Sequence, residues 1–320
     1  MREKLLTVVV PTYNTEKLLP RCLDSLIVEK FLPLLEVLIV IDGSPDNSVA
    51  VAGKYAERYP DTFIVVEKEN GGHGSTINKG IELATGKYFK VLDSDDWFDK
   101  QAFTDFLEKL QNIDVDVVLT DYVREYVFEN RQELMPLQEN EGNVYNVITD
   151  LNSFAMARQT FKLELIKKSN LKLPEKMFYV DTIYAKIPCL YAQSFKYYKL
   201  PVYRYYIGRE GQSVSMVGSI KNREHYKYVF QFLYKKEKEI TGQLVDVVGF
   251  TILNEHILSV LSHLQYDLAK EELNQWNTFL KTAIEEPEIK QGKLYKLYNA
   301  LPFWLYKNLF DLYKKIKPSK

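Results

Sequence analysis

The amino-terminal third of the chain repeats one pattern four times: an apolar run, a polar or glycine-rich turn, and an amphipathic helix. The runs hold Val, Ile and Leu at consecutive positions, as in strands that are buried on both faces of a sheet. Four such units predict a right-handed parallel α/β sheet. The predicted strands of these units are residues 5–10, 36–41, 62–67 and 88–92, and further strands are predicted at 115–120, 153–161, 194–198 and 202–206.

A polar or glycine-rich turn follows each predicted strand. The carboxyl ends of parallel strands meet at one edge of a sheet, and open α/β sheets bind their ligands there. Glycine allows a close approach of the backbone to phosphates, and helix amino termini favour anions. The turns therefore predict a nucleotide-binding crevice, and they begin at Pro11, Asp42, Asn70 and Asp93.

The fourth turn carries three acids, Asp93, Asp95 and Asp96. Carboxylates packed so closely repel one another unless a cation lies between them. Hard oxygen ligands of this kind suit Mg²⁺ or Mn²⁺, with substrate phosphates completing the coordination. The turn therefore predicts a divalent-cation site. A solvated acidic turn that caps the next helix is the alternative.

Composition and missing motifs disfavour several classes of protein. The 320 residues have a net charge of −1, which gives no drive toward nucleic acid. Two cysteines in distant apolar segments predict buried thiols and no disulfide framework. No Gly-x-Gly-x-x-Gly or Gly-x-x-x-x-Gly-Lys-Ser/Thr motif is present, which disfavours a dinucleotide enzyme or a P-loop NTPase. No signal peptide or transmembrane helix is predicted, so a cytoplasmic location is expected.

Five motifs, in this order and spacing, resemble the inverting, non-processive family 2 glycosyltransferases of bacteria. They are Val8-Val-Val-Pro-Thr-Tyr-Asn14, Ile41-Asp-Gly-Ser-Pro-Asp46, Asn70-Gly-Gly with Asn78-Lys-Gly80, Leu92-Asp-Ser-Asp-Asp96 and Tyr179-Val-Asp-Thr182. The resemblance covers roughly residues 5–215. It implies a GT-A fold, a Rossmann-like and mostly parallel sheet flanked by helices. The Gln-x-x-Arg-Trp motif of processive members is missing, which favours one sugar per encounter.

The resemblance also implies roles for individual residues. Asp181 matches the catalytic base, which takes a proton from the acceptor hydroxyl. Asp95 and Asp93 would hold a Mn²⁺ or Mg²⁺ ion that bridges the donor phosphates. The nucleotide-sugar contacts would come from Pro11, Thr12, Tyr13, Asp42, Asn70, Gly71, Gly72, Asn78, Asp93, Ser94, Asp96 and Arg209. For Asp42 and Asp181, turn or helix-cap chemistry is the alternative.

Three positions depart from the family pattern. Val180, Ile41 and Ile77 stand where many relatives have glutamate, aspartate and arginine, respectively. The missing arginine charge beside the diphosphate could come from Arg209, from His73, from the metal ion or from the amides of the glycine-rich turn. The departures leave room for a non-catalytic nucleotide-sugar-binding subunit.

Apolar residues follow helical spacing in the last third, which predicts a helical domain at 219–320 after a catalytic domain at 1–218. From Lys290 to the end there are eight lysines and one aspartate, a net charge of +7. Leucines and aromatics follow helical spacing, lysines lie opposite, and Pro302 is expected to bend the helix. This pattern is typical of a helix in a membrane interface. A helix that packs on the protein with a solvated basic face is the alternative.

Taken with the resemblance, these features predict a metal-dependent enzyme that moves one hexose or N-acetylhexosamine from a UDP-sugar to an acceptor hydroxyl with inversion. The acceptor would be a glycan, glycoprotein or lipid-linked molecule in cell-surface glycan assembly. The enzyme would act in the cytoplasm, peripherally at the inner face of the membrane, and a homo-oligomer is compatible with the sequence. A sugar-phosphate nucleotidyltransferase is the second alternative, and it leaves Asp181 without a role.

Overall fold

The computed structural model describes residues 3–137, 141–143, 155–208 and 215–316. These residues form two compact units, one ending at residue 208 and the other beginning at residue 215. The first unit is built on a single sheet, and the described residues of the second are helical.

The amino-terminal half of the sheet is parallel, with the strand order β3-β2-β1-β4. Its strands are β1 Leu6–Thr12, β2 Leu35–Asp42, β3 Phe63–Lys68 and β4 Tyr88–Val91. Every residue of β1 and β2 is buried, which explains their continuous apolar sequences. The crossover helices are α1 Leu19–Asp24, α2 Ser48–Arg58 and α3 His73–Leu83. The predicted α/β sheet is confirmed, with strand ends shifted by one or two residues.

The other half of the sheet is mixed. Its strands are β5 Trp97–Phe98, β6 Val117–Tyr126, β7 Arg131–Met135, β8 Gly142–Asn143, β9 Gln159–Lys162 and β10 Phe195–Ile207. Strand β9 lies antiparallel between β4 and β6, and β10 pairs parallel with β6 and antiparallel with β5. The helices here are α4 Lys100–Leu110, α5 Leu163–Lys168 and α6 Val180–Lys186.

Two strand predictions in this half were wrong. The two short strands expected at 194–198 and 202–206 are one strand, β10, whose register shifts around Pro201. Proline cannot donate to the ladder, so the pairing is interrupted without ending the strand. The strand expected at 153–161 begins only at Gln159, because residues Met156–Arg158 form a 3₁₀ turn. Residues 153 and 154 lie outside the described part.

The second unit packs its helices around aromatic side chains. Its helices are α7 Met216–Lys221, α8 Arg223–Thr241, α9 Val247–Ser262, α10 Tyr266–Ala283, α11 Lys293–Ala300 and α12 Phe303–Ile316. Trp276 Nε1 donates to Asn254 Oδ1 at 2.9 Å in the interior. Pro302 separates α11 from α12, where a bend was expected. No helix in the described ranges is long and apolar enough to cross a bilayer.

Candidate active site at the carboxyl edge of the sheet

The acidic turn after β4 brings three carboxylates together. Asp93, Asp95 and Asp96 each offer an oxygen, and these oxygens lie within 4.8 Å of one another. The Asp96 amide donates to the Asp93 carbonyl at 2.9 Å, which closes the turn. Asp93 and Asp95 are partly exposed, whereas Asp96 is 1% exposed. The three acids therefore differ in their access to a ligand.

Asp96 is engaged by strand β10 on both of its oxygens. The Tyr203 hydroxyl donates to Oδ2 at 2.6 Å, and the Tyr206 amide donates to Oδ1 at 2.8 Å. Burial raises the pKa of Asp96 well above its usual range, the charges of Asp95 and Asp93 raise it further, and these two hydrogen bonds oppose the rise. Asp96 thus supports the turn, and Asp93 and Asp95 are the carboxylates best placed to meet a ligand.

Residues of α1 and of the loop before it also contact the acidic turn. Arg21 Nη2 donates to the Asp95 carbonyl at 3.0 Å, and its guanidinium lies 3.7 Å from the centroid of the Trp97 ring, a cation–π contact. The Thr15 hydroxyl donates to the Ser94 hydroxyl at 2.9 Å. Ser94 is buried in this contact. Helix α1 and the loop before it therefore set the backbone of the acidic turn.

Tyr203→Phe is expected to loosen this support. The Tyr203 hydroxyl donates to Asp96 and also accepts from the Asp93 amide at 3.2 Å, so its loss leaves two buried groups short of a partner. Leaving a buried polar group without its partner costs about 1–3 kcal/mol, and we expect a loss of that order in the free energy of urea-induced unfolding. Tyr184→Phe is the matched control, because the buried Tyr184 hydroxyl has no partner among the described residues. Equal stability losses in both variants would contradict a support role for Tyr203.

The glycine-rich turn before α3 is held by Asp42. Asp42 Oδ1 accepts from the Gly71 amide at 2.9 Å and from Lys68 Nζ at 2.7 Å, and Oδ2 accepts from the Gly72 amide at 2.7 Å. Asn70 Nδ2 donates to the Asp42 carbonyl at 2.9 Å. Gly72 has φ +83°, a conformation that favours glycine, and α3 begins at the next residue. Both Asp42 oxygens therefore anchor the turn.

The segment that leads to Asp181 is tied to this turn and to α3. Asn78 Nδ2 donates to the Leu173 carbonyl, and the Leu173 amide donates to Asn78 Oδ1, both at 2.9 Å. The Lys176 amide donates to the Gly71 carbonyl at 2.6 Å. Helix α6 begins at Val180, so Asp181 lies in its first turn, open to solvent. The Asn78 carboxamide thus positions the chain that carries Asp181.

His73, the first residue of α3, adds an imidazole to the site. Its Nε2 lies 2.7 Å from Asp93 Oδ1. Burial lowers the pKa of His73, but the charges of Asp93, Asp181 and Asp95 outweigh this and raise it. Ile77 is completely buried one turn further along and presents no charge. The structure therefore places an imidazole with a raised pKa beside the acids.

Asp181 belongs to the same electrostatic system. Partial dehydration by the surrounding protein raises its pKa, the charge of Asp93 raises it further, and the charge of His73 lowers it. A carboxylate that solvent reaches and whose pKa is raised is suited to accept a proton.

The remaining predicted residues lie around the first turn. Pro11 and Thr12 end β1 and are buried, with the Thr12 hydroxyl donating to the Val10 carbonyl, whereas Tyr13 is 51% exposed. The Asn14 amide donates to the Ser44 hydroxyl at 2.8 Å, which joins the first turn to the second. Arg209 lies outside the described residues. The residues predicted in the turns after β1, β2, β3 and β4 therefore lie at one edge of the sheet, as the parallel pairing of these strands requires.

The donor set fits a hard divalent cation. Asp93 and Asp95 offer partly exposed oxygens, and Mg²⁺ and Mn²⁺ use one or two protein carboxylates with phosphates and water completing the shell. No sulfur ligand and no histidine cluster that would suit a softer metal occurs among the described residues of this group. These two residues are the ones that could hold the ion.

Comparison with known proteins agrees with this picture. Residues 7–167 match the family model described as Glycosyl transferase family 2. An uncharacterized glycosyltransferase of Mycoplasma pneumoniae is 28% identical over 276 residues, which cover 85% of this chain and 90% of the relative.

Two solved structures share the fold. Residues 1–349 of TarS from S. aureus, in complex with UDP, align at a TM-score of 0.69 and 19% identity, covering 99% of this chain and 93% of that one. The mannosyltransferase PcManGT from Pyrobaculum calidifontis, in complex with GDP-Man and Mn²⁺, aligns at 0.54 and 18% identity, covering 98% and 88%. At such identities the likeness concerns the fold alone, which is GT-A-like.

Proposed function

Because the chain belongs to glycosyl transferase family 2 and is a glycosyltransferase, we propose that it transfers one sugar from a UDP-sugar to an acceptor hydroxyl with inversion. One observation carries the proposal. Asp93 and Asp95 lie beside the amino terminus of α3, which follows a glycine-rich turn, and the charges of Asp93 and His73 act on Asp181. This arrangement offers a place for a diphosphate and a separate base for the acceptor.

In the proposed reaction, Asp181 acts on the acceptor. The acceptor oxygen forms a bond to the anomeric carbon while the bond from that carbon to the diphosphate oxygen breaks on the opposite face. The acceptor proton passes to a carboxylate oxygen of Asp181, and the leaving nucleoside diphosphate takes the electron pair. Attack opposite the leaving group inverts the configuration at the anomeric carbon.

The leaving group would be stabilised by the residues around the glycine-rich turn. Amides at the start of α3 favour an anion, and His73, when protonated, would bring positive charge to the position next to Asp93. When bound to Asp93 and Asp95, Mn²⁺ or Mg²⁺ supplies further charge neutralisation on the phosphates. Asp42 and Asn78 would act indirectly, by holding the turn and the segment before Asp181.

For the donor we propose uridine as the base and a hexose or N-acetylhexosamine as the sugar. The TarS fold relative is known in complex with UDP and with UDP-GlcNAc, which supports this choice, whereas the PcManGT complex contains GDP-Man. Pro11, Thr12 and the exposed Tyr13 would line the base pocket, with Asn70 and Ser94 nearby in the crevice. Arg209 would contribute to diphosphate binding.

For the acceptor we propose a glycan, glycoprotein or lipid-linked molecule of cell-surface glycan assembly. A lipid-linked acceptor would bring the enzyme to the cytoplasmic face of a membrane, and the composition of residues 290–320 suits such a surface. We also propose that the first unit is the catalytic domain and the second a helical C-terminal domain, close to the predicted division at residues 1–218 and 219–320.

Nucleotide release identifies the donor and tests the proposal together. With Mn²⁺ and no acceptor, we expect slow release of UDP from one donor among a panel of UDP- and GDP-sugars, and its loss on adding EDTA. Release of GDP instead of UDP would overturn the choice of uridine as the donor nucleoside. Calorimetric UDP binding without turnover, even with candidate acceptors, would favour a non-catalytic subunit. Absence of both binding and hydrolysis for every nucleotide sugar would contradict the proposal.

A further inference from the structure

Tyr205 of β10 lies beside the acidic turn, although the proposed reaction gives it no role. Residues on both sides of it in the strand bond to Asp96, Tyr203 through its hydroxyl and Tyr206 through its amide. Successive side chains of a strand point to opposite faces, so Tyr205 projects on the same face as Tyr203, and both pack against the same apolar core. Tyr205 lies two residues, about 7 Å, further along the strand.

The direction of β10 brings Tyr205 toward the crevice. Strand β10 is parallel to β6, and β6 runs parallel to β4, because β9 lies antiparallel between them. Residues near the end of β10 therefore lie at the same edge of the sheet as the acidic turn that follows β4. Tyr203 supports this turn from within the sheet, and Tyr205 is one step nearer to the edge.

Four acids of the site act on the phenol of Tyr205. Burial raises its pKa, and further increases come from the charges of Asp96, Asp93, Asp181 and Asp95, in decreasing order. Charges have such effects only at short range. The phenol is therefore close both to the acidic turn and to Asp181, which belong to different segments of the chain.

The Tyr205 hydroxyl is available to a ligand. It has no hydrogen-bond partner in the part of the chain that the structure describes, and the residue is partly exposed. The Tyr203 hydroxyl, in contrast, donates to Asp96. Because its pKa is raised, the Tyr205 phenol keeps its proton at neutral pH and can donate a hydrogen bond.

The transferred sugar must lie between the acidic turn and Asp181. Its anomeric carbon is joined to the diphosphate, which a cation at Asp93 and Asp95 would hold, and the acceptor oxygen that attacks this carbon lies beside Asp181. From this placement we propose that the Tyr205 hydroxyl donates a hydrogen bond to a hydroxyl oxygen of the transferred sugar and contributes to the choice of donor. The inference rests on the proposed transfer reaction.

A phosphate oxygen is the other acceptor that a phenol could meet in this crevice. A phenol held at the diphosphate alone would lie among the ligands of the cation and farther from the base. The charge of Asp181 acts on Tyr205 more strongly than that of Asp95, which favours the sugar. A site that hydrogen-bonds a substrate hydroxyl rejects analogues without it, because its own polar group is then left without a partner.

Calorimetric binding to Tyr205→Phe tests the proposal. The probes are UDP, UDP-glucose, UDP-galactose and UDP-GlcNAc, each with Mn²⁺. The variant should bind UDP as the parent does, because UDP carries no sugar. It should bind the preferred UDP-sugar about tenfold more weakly, the order of one lost hydrogen bond, and kcat/KM for UDP release from that donor should fall at least as much.

Donor analogues that each lack one sugar hydroxyl identify the atom that Tyr205 contacts. One of these analogues should bind the parent about tenfold more weakly than the complete donor does. The same analogue should bind Tyr205→Phe as well as the complete donor does, because the two changes remove one shared interaction. If the donor panel identifies a GDP-sugar, GDP and that donor replace the UDP probes.

Two comparisons within β10 control for general effects of the substitution. Tyr198→Phe removes a hydroxyl near the other end of the strand and should change neither binding nor UDP release. Tyr205→Phe should unfold at the same urea concentration as the parent, because its hydroxyl bonds to none of the described residues. Tyr203→Phe, in contrast, is expected to lose stability.

Two results would overturn the proposal. Equal weakening of UDP and UDP-sugar binding in Tyr205→Phe would assign the phenol to the diphosphate, and unchanged binding of every donor would leave it a packing residue. The parent protein distinguishes these failures from failure of the proposed reaction. A parent that releases UDP while Tyr205→Phe does so equally well contradicts only the sugar contact, whereas a parent that neither binds nor hydrolyses any nucleotide sugar contradicts both.

Discussion

Asp181→Asn is expected to lower kcat by about a hundredfold to ten-thousandfold, the usual contribution of a positioned base. The asparagine side chain keeps the size of aspartate but cannot accept the acceptor proton. Because the pKa of Asp181 is raised, the acidic limb of the parent kcat/KM profile should lie above the ordinary range of an aspartate. The residual activity of the variant should lack that limb. Initial rates of UDP release with acceptor across pH measure both effects.

Measurements of UDP binding distinguish the loss of the catalytic base from general damage to the site. UDP binding with Mn²⁺ should persist in Asp181→Asn, and the stability cost should stay within about 1 kcal/mol, the value of an acid in the first turn of a helix. Glu175→Gln is the matched control, since Glu175 is an exposed acid on the same segment. A variant that keeps full turnover would show that Asp181 is a helix-terminal acid only.

Asp95→Asn should have an effect of comparable size through a different step. Removing a carboxylate that holds the cation should cost about a hundredfold to a thousandfold in kcat, in the range found for single electrostatic stabilisers of a transition state. The Mn²⁺-dependent part of UDP binding should fall with it. Calorimetric titration of UDP with and without Mn²⁺ measures this loss of binding directly and needs no turnover.

The two acids of the turn should differ in what their loss damages. Asp96→Asn is expected to lower stability more than Asp95→Asn does, because Asp96 is buried and bonded to β10, whereas Asp95 is partly exposed. Asp105→Asn, on the surface of α4, controls for loss of an acid. If Asp95→Asn left metal-dependent UDP binding intact while Asp96→Asn removed it, the assignment of ligands would be reversed.

The strands and turns of the site could be predicted from the sequence, because each is formed by residues that are close together in the chain. Continuous apolar runs mark β1 and β2, which are wholly buried, and each run ends in a turn whose residues face the sheet edge. The three acids of the cluster are near neighbours in the chain, so the sequence alone could predict that they lie together in one turn. The departure at Ile77 directed attention to His73, and the structure places that residue against Asp93.

The supports of the site were not predictable, because they join residues far apart in the chain. No periodicity links Tyr203 to Asp96 or Arg21 to Asp95, and no motif indicates that both Asp42 oxygens hold the glycine-rich turn. The tail shows a second reason. Apolar residues occupy several sides of α12, so spacing alone could not decide that Tyr306 and Phe310 pack inward while Leu312 and Tyr313 stay exposed.

The long separations within the site also set the order in which it can form. Asp96 is bonded to residues 107 and 110 positions later, and Asn78 to one 95 positions later. Contacts of such separation form slowly, since a long loop must close before they contribute. During synthesis the acidic turn emerges well before β10, with its carboxylates still hydrated and unsupported. Competence for sugar transfer should therefore appear late and in one cooperative step, when β10 joins the sheet.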